Sequence, residues 1–176
     1  MGNRTAWGGP DRSRIAVVPA VVGKMKKANQ SRVKIAVPIT RGTDDFPPVD
    51  WEHLWTVPCG VGQYEVDNIP FFATGISSGD VISAHTLDDH LIYDQVVRYG
   101  GHSTVRVVMS EVDQKEKVRK ALARLGCEIE GSHLPKLFAV DVPALVNYAE
   151  VIGYLEEKAA ENLLDYEEAS IQHKTN

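Results

Sequence analysis

A chain of 176 residues, 43% apolar and 24% charged, has the material for one compact domain or two small ones with a useful core. Its net charge of −5 is unevenly spread: through Arg32 there are seven Lys and Arg against Asp11 alone, and beyond it 12 against 23 acidic residues. An acidic body argues against a general nucleic-acid surface, which needs a positive field over the contact face, and suits a small-molecule ligand or a basic partner.

Residues 1–14 are rich in Gly, Asn, Arg and Pro and carry little to bury, so residues 1–32 are expected to form a flexible basic tail. Within it, residues 15–22 are apolar and can lie on the body as a strand, but a membrane span needs about 20 apolar residues. Pro19 breaks the run, no usable cleavage site follows, and Ala6 stands where a myristoylation signal needs Ser or Thr. Lys24, Lys26 and Lys27 then form a solvated basic linker ending near Arg32. A cytoplasmic protein is expected. Cys59 and Cys127 lie too far apart in sequence for a disulfide framework or paired metal ligands and read as reduced thiols.

Residues 33–100 carry short β-like signals. Val33-Lys34-Ile35-Ala36-Val37 alternates at period two, residues 51–57 are aromatic and β-branched, and Gly60-Val61-Gly62 turns the chain into residues 63–66. Pro70 opens Phe71-Phe72-Ala73, Gly79-Asp80 opens residues 81–85, and Leu87-Asp88-Asp89-His90 turns into residues 91–97. This pattern predicts a small antiparallel β-barrel or curled sheet. Trp51 and Trp55, four apart, share one face of their strand, read as core or else as the lining of a cleft.

Residues 101–176 change period. Residues 103–109 form a strand, and residues 113–125 a helix with Val118, Ala121, Leu122 and Leu125 on one face and Gly126 beyond its end. Residues 127–130 and 137–142 are strands. A second helix is predicted over residues 143–161, Pro143 in its first turn and Leu145, Tyr148, Ala149, Ile152 and Leu155 buried. The expected class is therefore α+β, the barrel followed by a ferredoxin-like βαββα unit lacking its last strand. That strand would come from the N-terminal segment, from the barrel, or from a second copy of the chain in a homodimer.

The residues Glu52-His53-Leu54-Trp55, Tyr64, Asp67-Asn68-Ile69-Pro70-Phe71-Phe72, Gly79-Asp80-Val81 and Gly101-His102-Ser103-Thr104-Val105-Arg106 resemble an uncharacterised bacterial family, domain of unknown function 4265. The resemblance covers most of residues 33–166, including Leu125-Gly126-Cys127, and leaves the basic tail outside. It implies no reaction, cofactor or catalytic set.

His102-Ser103-Thr104 at the head of a strand resembles half of a two-histidine phosphodiesterase site, in which paired His-x-Thr elements supply acid and base. His85, His90 and His133 are not followed two positions on by Ser or Thr, so none of them supplies the second copy. Arg106 shares a strand face with Thr104 and is suited to a carboxylate or phosphate. The structural alternative pairs His102 and Arg106 with Asp67 or Asp80. A Ser-His-Asp set drawn from Ser77 or Ser103, His102 and Asp80 lacks a nucleophile elbow. The cluster His85, Asp88, Asp89 and His90 reads as a polar hairpin tip, with no metal site expected.

Two functions follow from these residues. One is a non-enzymatic binding protein, immunity-like or regulatory, presenting the acidic Glu156, Glu157 and Glu161 and the loops around Asp67 and Asp80 to a protein partner such as a basic toxin or enzyme. The other is a small enzyme or ligand-binding domain for a phosphate- or carboxylate-containing ligand, with candidate residues His102, Ser103, Thr104 and Arg106 supported by Asp67, Asn68, Asp80 and Trp55. No cofactor is expected. A nucleic-acid role through the basic tail ranks below both.

Overall fold

The computed structural model describes residues 31–40, 47 and 49–174. Residues 1–30, with most of the expected tail and the apolar segment at 15–22, lie outside the described residues. The fold is mixed α+β, with mostly antiparallel sheets and, among the described residues, two α-helices.

The first sheet consists of β1 (Val33–Pro38), β2 (Trp51–Gly60), β3 (Gln63–Val66), β4 (Val81–Leu87) and β5 (His90–Arg98). They pair antiparallel in chain order, and β5 returns to β1 through a parallel pairing of Ile35 with Leu91 and Ala36 with Ile92. Ile35, Val37, Leu54, Val66 and Ile82 meet inside, joined by Ala73 and Ile76 from the long segment after β3. Between β4 and β5, Asp88 and Asp89 both adopt left-handed backbone (φ 46° and 62°), the geometry of a two-residue hairpin turn.

The expected burial of the Trp51/Trp55 face is corrected. Leu54 and Thr56 are the fully buried residues of β2, so the two-residue period turns Trp51 (47% exposed) and Trp55 (42%) outward, where the Lys34 ammonium lies 4.7 Å from the Trp55 ring centre. Nor do residues 71–73 join a sheet. Their N–H groups instead donate to the Glu52 carboxylate at 2.6, 2.9 and 2.7 Å.

The second half runs β6 (Ser103–Met109), a 3₁₀ turn (Val112–Gln114), α1 (Lys115–Arg124), β7 (Glu128–Gly131), β8 (Leu137–Val142), α2 (Tyr148–Ala160) and β9 (Leu164–Ser170). Its strands lie in the order β7-β8-β6-β9, every neighbouring pair antiparallel. The expectation of a missing last strand is corrected, because the chain supplies β9 itself. Its alternation is masked in sequence by Asp165, Glu167 and Glu168, which make Leu164–Ser170 look like an acidic helix tail.

Both helices cover one face of this sheet. Val118 and Leu122 of α1 and Tyr148, Val151 and Leu155 of α2 pack on Val105, Val107, Met109, Phe138, Val140 and Val142. Gly126 ends α1 with φ +98°, the left-handed position a side chain resists. Helix α2 begins at Tyr148, later than predicted, because Pro143 opens a turn closed by the Val146 N–H on its carbonyl at 2.8 Å. Leu145, predicted buried, is fully exposed in that turn, and Ala149 faces outward. Among the described residues no helix is long and apolar enough to cross a membrane.

Candidate functional site

Strand β6 is two-faced. Val105, Val107 and Met109 enter the helical core, while Thr104 and Arg106 point to the opposite face, onto which residues 67–80 of the first half dock. The Gly-His-Ser-Thr-Val-Arg block therefore lies in the seam between the two halves.

The seam is held by buried polar groups. Thr104 donates its hydroxyl to Ser77 Oγ at 3.0 Å, both residues being fully buried. Asp80, also fully buried, accepts the N–H of Ser77 (2.8 Å) and Gly100 (2.7 Å) and the side-chain amide of Gln172 (2.9 and 3.0 Å). A side chain at Gly100 would meet the Gly79 backbone at 2.7 Å, so only glycine allows this approach. Each carboxylate lone pair so engaged compensates for the lost hydration of a buried charge.

Ser103 is fully buried and accepts the N–H of Gln172 and His173 at 2.9 and 3.3 Å. His173 Nε2 lies 3.1 Å from the Pro143 carbonyl, which can only accept, so that nitrogen carries the proton and Nδ1 accepts the Ser103 hydroxyl at 2.7 Å. The His173 ring also stacks on Tyr148, centres 4.9 Å apart. Burial and the hydroxyl's contact with Glu168 hold the Tyr148 phenol far above its ordinary pKa. Gln172 stands in no motif; His173-Lys174-Thr175 repeats the His-x-Thr spacing of His102-Ser103-Thr104, and Thr175 lies outside the described residues.

The expected partners of His102 and Arg106 are corrected. His102 Nδ1 lies 2.8 and 3.0 Å from the carboxylate of Asp141, a fully buried residue of β8 paired opposite Thr104. Arg106, 6% exposed, donates Nη1 to Glu167 at 3.2 Å and Nη2 to the carbonyls of Phe72 and Ala73 at 3.0 and 3.3 Å. Its Nε is buried without a hydrogen-bond partner. Burial draws the guanidinium pKa below its usual value, opposed by the charges of Glu167 and Glu52.

Asp67 bonds Arg32 at 2.6 Å and gives its N–H to the Trp55 carbonyl, while Asn68 Oδ1 accepts the Trp55 N–H at 2.8 Å. These residues knit the segment after β3 back onto β2. A cavity of about 340 Å³ lies beside Arg106, lined also by Val37, Ile39, Tyr93 and Glu167, and not by His102, Asp67 or Asp80. The Ser-His-Asp combination is not assembled, since Ser103 meets His173, Ser77 meets Thr104, and His102 meets Asp141.

Among the described residues no three His, Cys, Asp or Glu side chains gather as a metal would require. His85 pairs instead with Asp94 at 2.5 Å. At the end of α2, Glu157 and the following Glu161 both engage Lys158, at 2.7 and 2.9 Å, while Glu156 borders a groove of about 580 Å³ between α2 and β9.

The family described as "Domain of unknown function (DUF4265)" matches residues 52–166. No curated protein matches the chain. A solved structure described as "Novel crystal structure of a hypothetical protein from Neisseria gonorrhoeae" is similar with a TM-score of 0.71 and 19% identity, over 83% of this chain and 99% of that one. At that identity the likeness is one of fold.

Proposed function

The chain belongs to the DUF4265 family, and from that premise we propose that it is a non-enzymatic, cytoplasmic binding protein that takes up a basic segment of a protein partner, to neutralise it as an immunity protein does a toxin, or to regulate it. We read its halves as a small β-barrel and a ferredoxin-like unit, supported by the closed circuit of pairing in the first sheet and the β6-α1-β7-β8-α2-β9 order of the second half.

The observation that carries the functional reading is the α2–β9 groove. Its floor is Tyr148, Ala149, Ile152 and Gly153, and Glu156 and Glu168 stand on it with Lys174 the one cation among the described residues lining it. An apolar floor with carboxylates suits the aliphatic stem and charged head of a partner's Lys or Arg. Titration of the protein with an oligolysine peptide at low and high salt tests this. Binding should weaken with salt, and the substitution Glu156→Lys should lower affinity several-fold. Unchanged affinity in that variant would overturn the assignment.

A second reading rests on the cavity beside Arg106, which would take a small carboxylate or phosphate. What supports it is that Arg106 lines the cavity and that its buried Nε has no hydrogen-bond partner. It requires that phosphate or a short dicarboxylate raise the thermal midpoint of the wild type and not of Arg106→Lys.

A further inference from the structure

On the outer side of β2, a second cavity of about 330 Å³ opens where the first sheet meets the turn after β7. Trp51 and His53 come from the outward row of β2, Phe71 from the docked segment, and His133 from the turn. Glu52 also lines it, with Val49, Phe72, Gly131 and Ser132, its carboxylate fixed by the N–H groups of Phe71, Phe72 and Ala73. Among the described residues no Lys or Arg lines this cavity.

The Trp51 and Phe71 rings and the Glu52 carboxylate, with no Lys or Arg among the described lining residues, favour a cation in this space over an anion. Aromatic faces carry negative quadrupole density and attract cations, most strongly those whose own hydration is weak. A neutral group of the same shape gains only burial, and an anion is opposed by both rings and carboxylate. The volume lies at the small end of the ~300–1,000 Å³ typical of small-molecule sites. We propose that this cavity binds an organic ammonium group, quaternary or alkylated. The site shares no lining residue with the α2–β9 groove, so either assignment can fail while the other stands.

The full chain would be titrated by calorimetry with tetramethylammonium and choline, with sodium chloride at equal ionic strength and with 3,3-dimethylbutanol, the uncharged isostere of choline. Saturable binding of the ammonium ions is expected, with the isostere weaker by about ten-fold, the scale of a partly desolvated cation–π contact. Trp51→Ala should abolish it and Trp51→Phe retain part of it. Trp51 is about half exposed, so both variants should keep the wild-type thermal midpoint. Trp55→Ala, outside the cavity and under Lys34, should bind as wild type. A peptide carrying trimethyllysine separates the sources: tighter binding than choline assigns the cation to a protein side chain, weaker binding to a free small molecule. Absence of saturable binding, equal affinity for the isostere, or undiminished binding in Trp51→Ala would overturn the proposal.

Discussion

Replacing Arg106 with Ala tests whether the Gly-His-Ser-Thr-Val-Arg block acts as a seam. The substitution removes the bonds of Nη2 to two buried carbonyls, of which the 3.0 Å contact with Phe72 is well made and the 3.3 Å contact with Ala73 is long. Charge-assisted bonds contribute about 1.5–3 kcal/mol each, the longer one nearer the bottom of that range. The pairing with Glu167 adds little, because that carboxylate is 58% exposed and screened. Relief of the unpartnered Nε offsets on the order of 1 kcal/mol. The expected net loss is about 3 kcal/mol, or roughly 6–12 °C in Tm for a chain of this size. Urea denaturation of the wild type, Arg106→Ala and Arg106→Met measures it. Met preserves most of the packing without a buried charge and should lose less than Ala. An Arg106→Ala midpoint within about 0.5 kcal/mol of wild type, at unchanged m value, would refute the seam and leave the guanidinium available to a ligand.

Substituting Asp88→Asn with Asp89→Gly in the β4–β5 turn should raise stability by about 1 kcal/mol, read as a higher thermal midpoint, because both positions have positive φ. A native thiol assay should label the exposed Cys59 and leave Cys127 unreacted until unfolding, since burial pushes the Cys127 thiol up to about 12. As that group's folded pKa lies above its unfolded one, its contribution to stability is intact below the ordinary value of 9.0 and is lost as pH rises toward about 12, which alkaline denaturation curves should show and Cys127→Ala should diminish. Gln172→Ala removes the side-chain bonds to Asp80 and to the Gly101 N–H and should cost about 2 kcal/mol in urea denaturation, although it lies 92 residues from Asp80.

The elements legible in sequence were those whose buried positions are mostly apolar. Strand β8 (Leu137–Val142) and the Val118/Leu122 face of α1 follow directly from apolar spacing. Strand β9 was hidden because its outward and partner-bonded positions are acidic, so composition outweighed period. The start of α2 was misplaced because Pro143 suits both a first helical turn and the tight turn it actually opens. Side-chain partners were less legible still. Asp141 falls within a predicted strand and His173 beyond the last predicted helix, yet they receive His102 and Ser103. Such pairings depend on β6 lying between β8 and β9, which is information about topology and is not contained in local spacing.

The two-faced burial of β6 bears on how a mutational scan of this protein would look. From Ser103 to Val107 every side chain is buried, alternately in the apolar core and in the polar seam, and only at Val108 does the strand offer an exposed position. Substitutions that suit one face are wrong for the other: apolar replacements orphan the groups facing Thr104 and Arg106, and polar ones disrupt the packing around Val105 and Val107. A scan scored by abundance would therefore return an unbroken intolerant run of mixed chemistry, the profile usually taken as the mark of an active site. Scoring binding separately from abundance would tell the two apart.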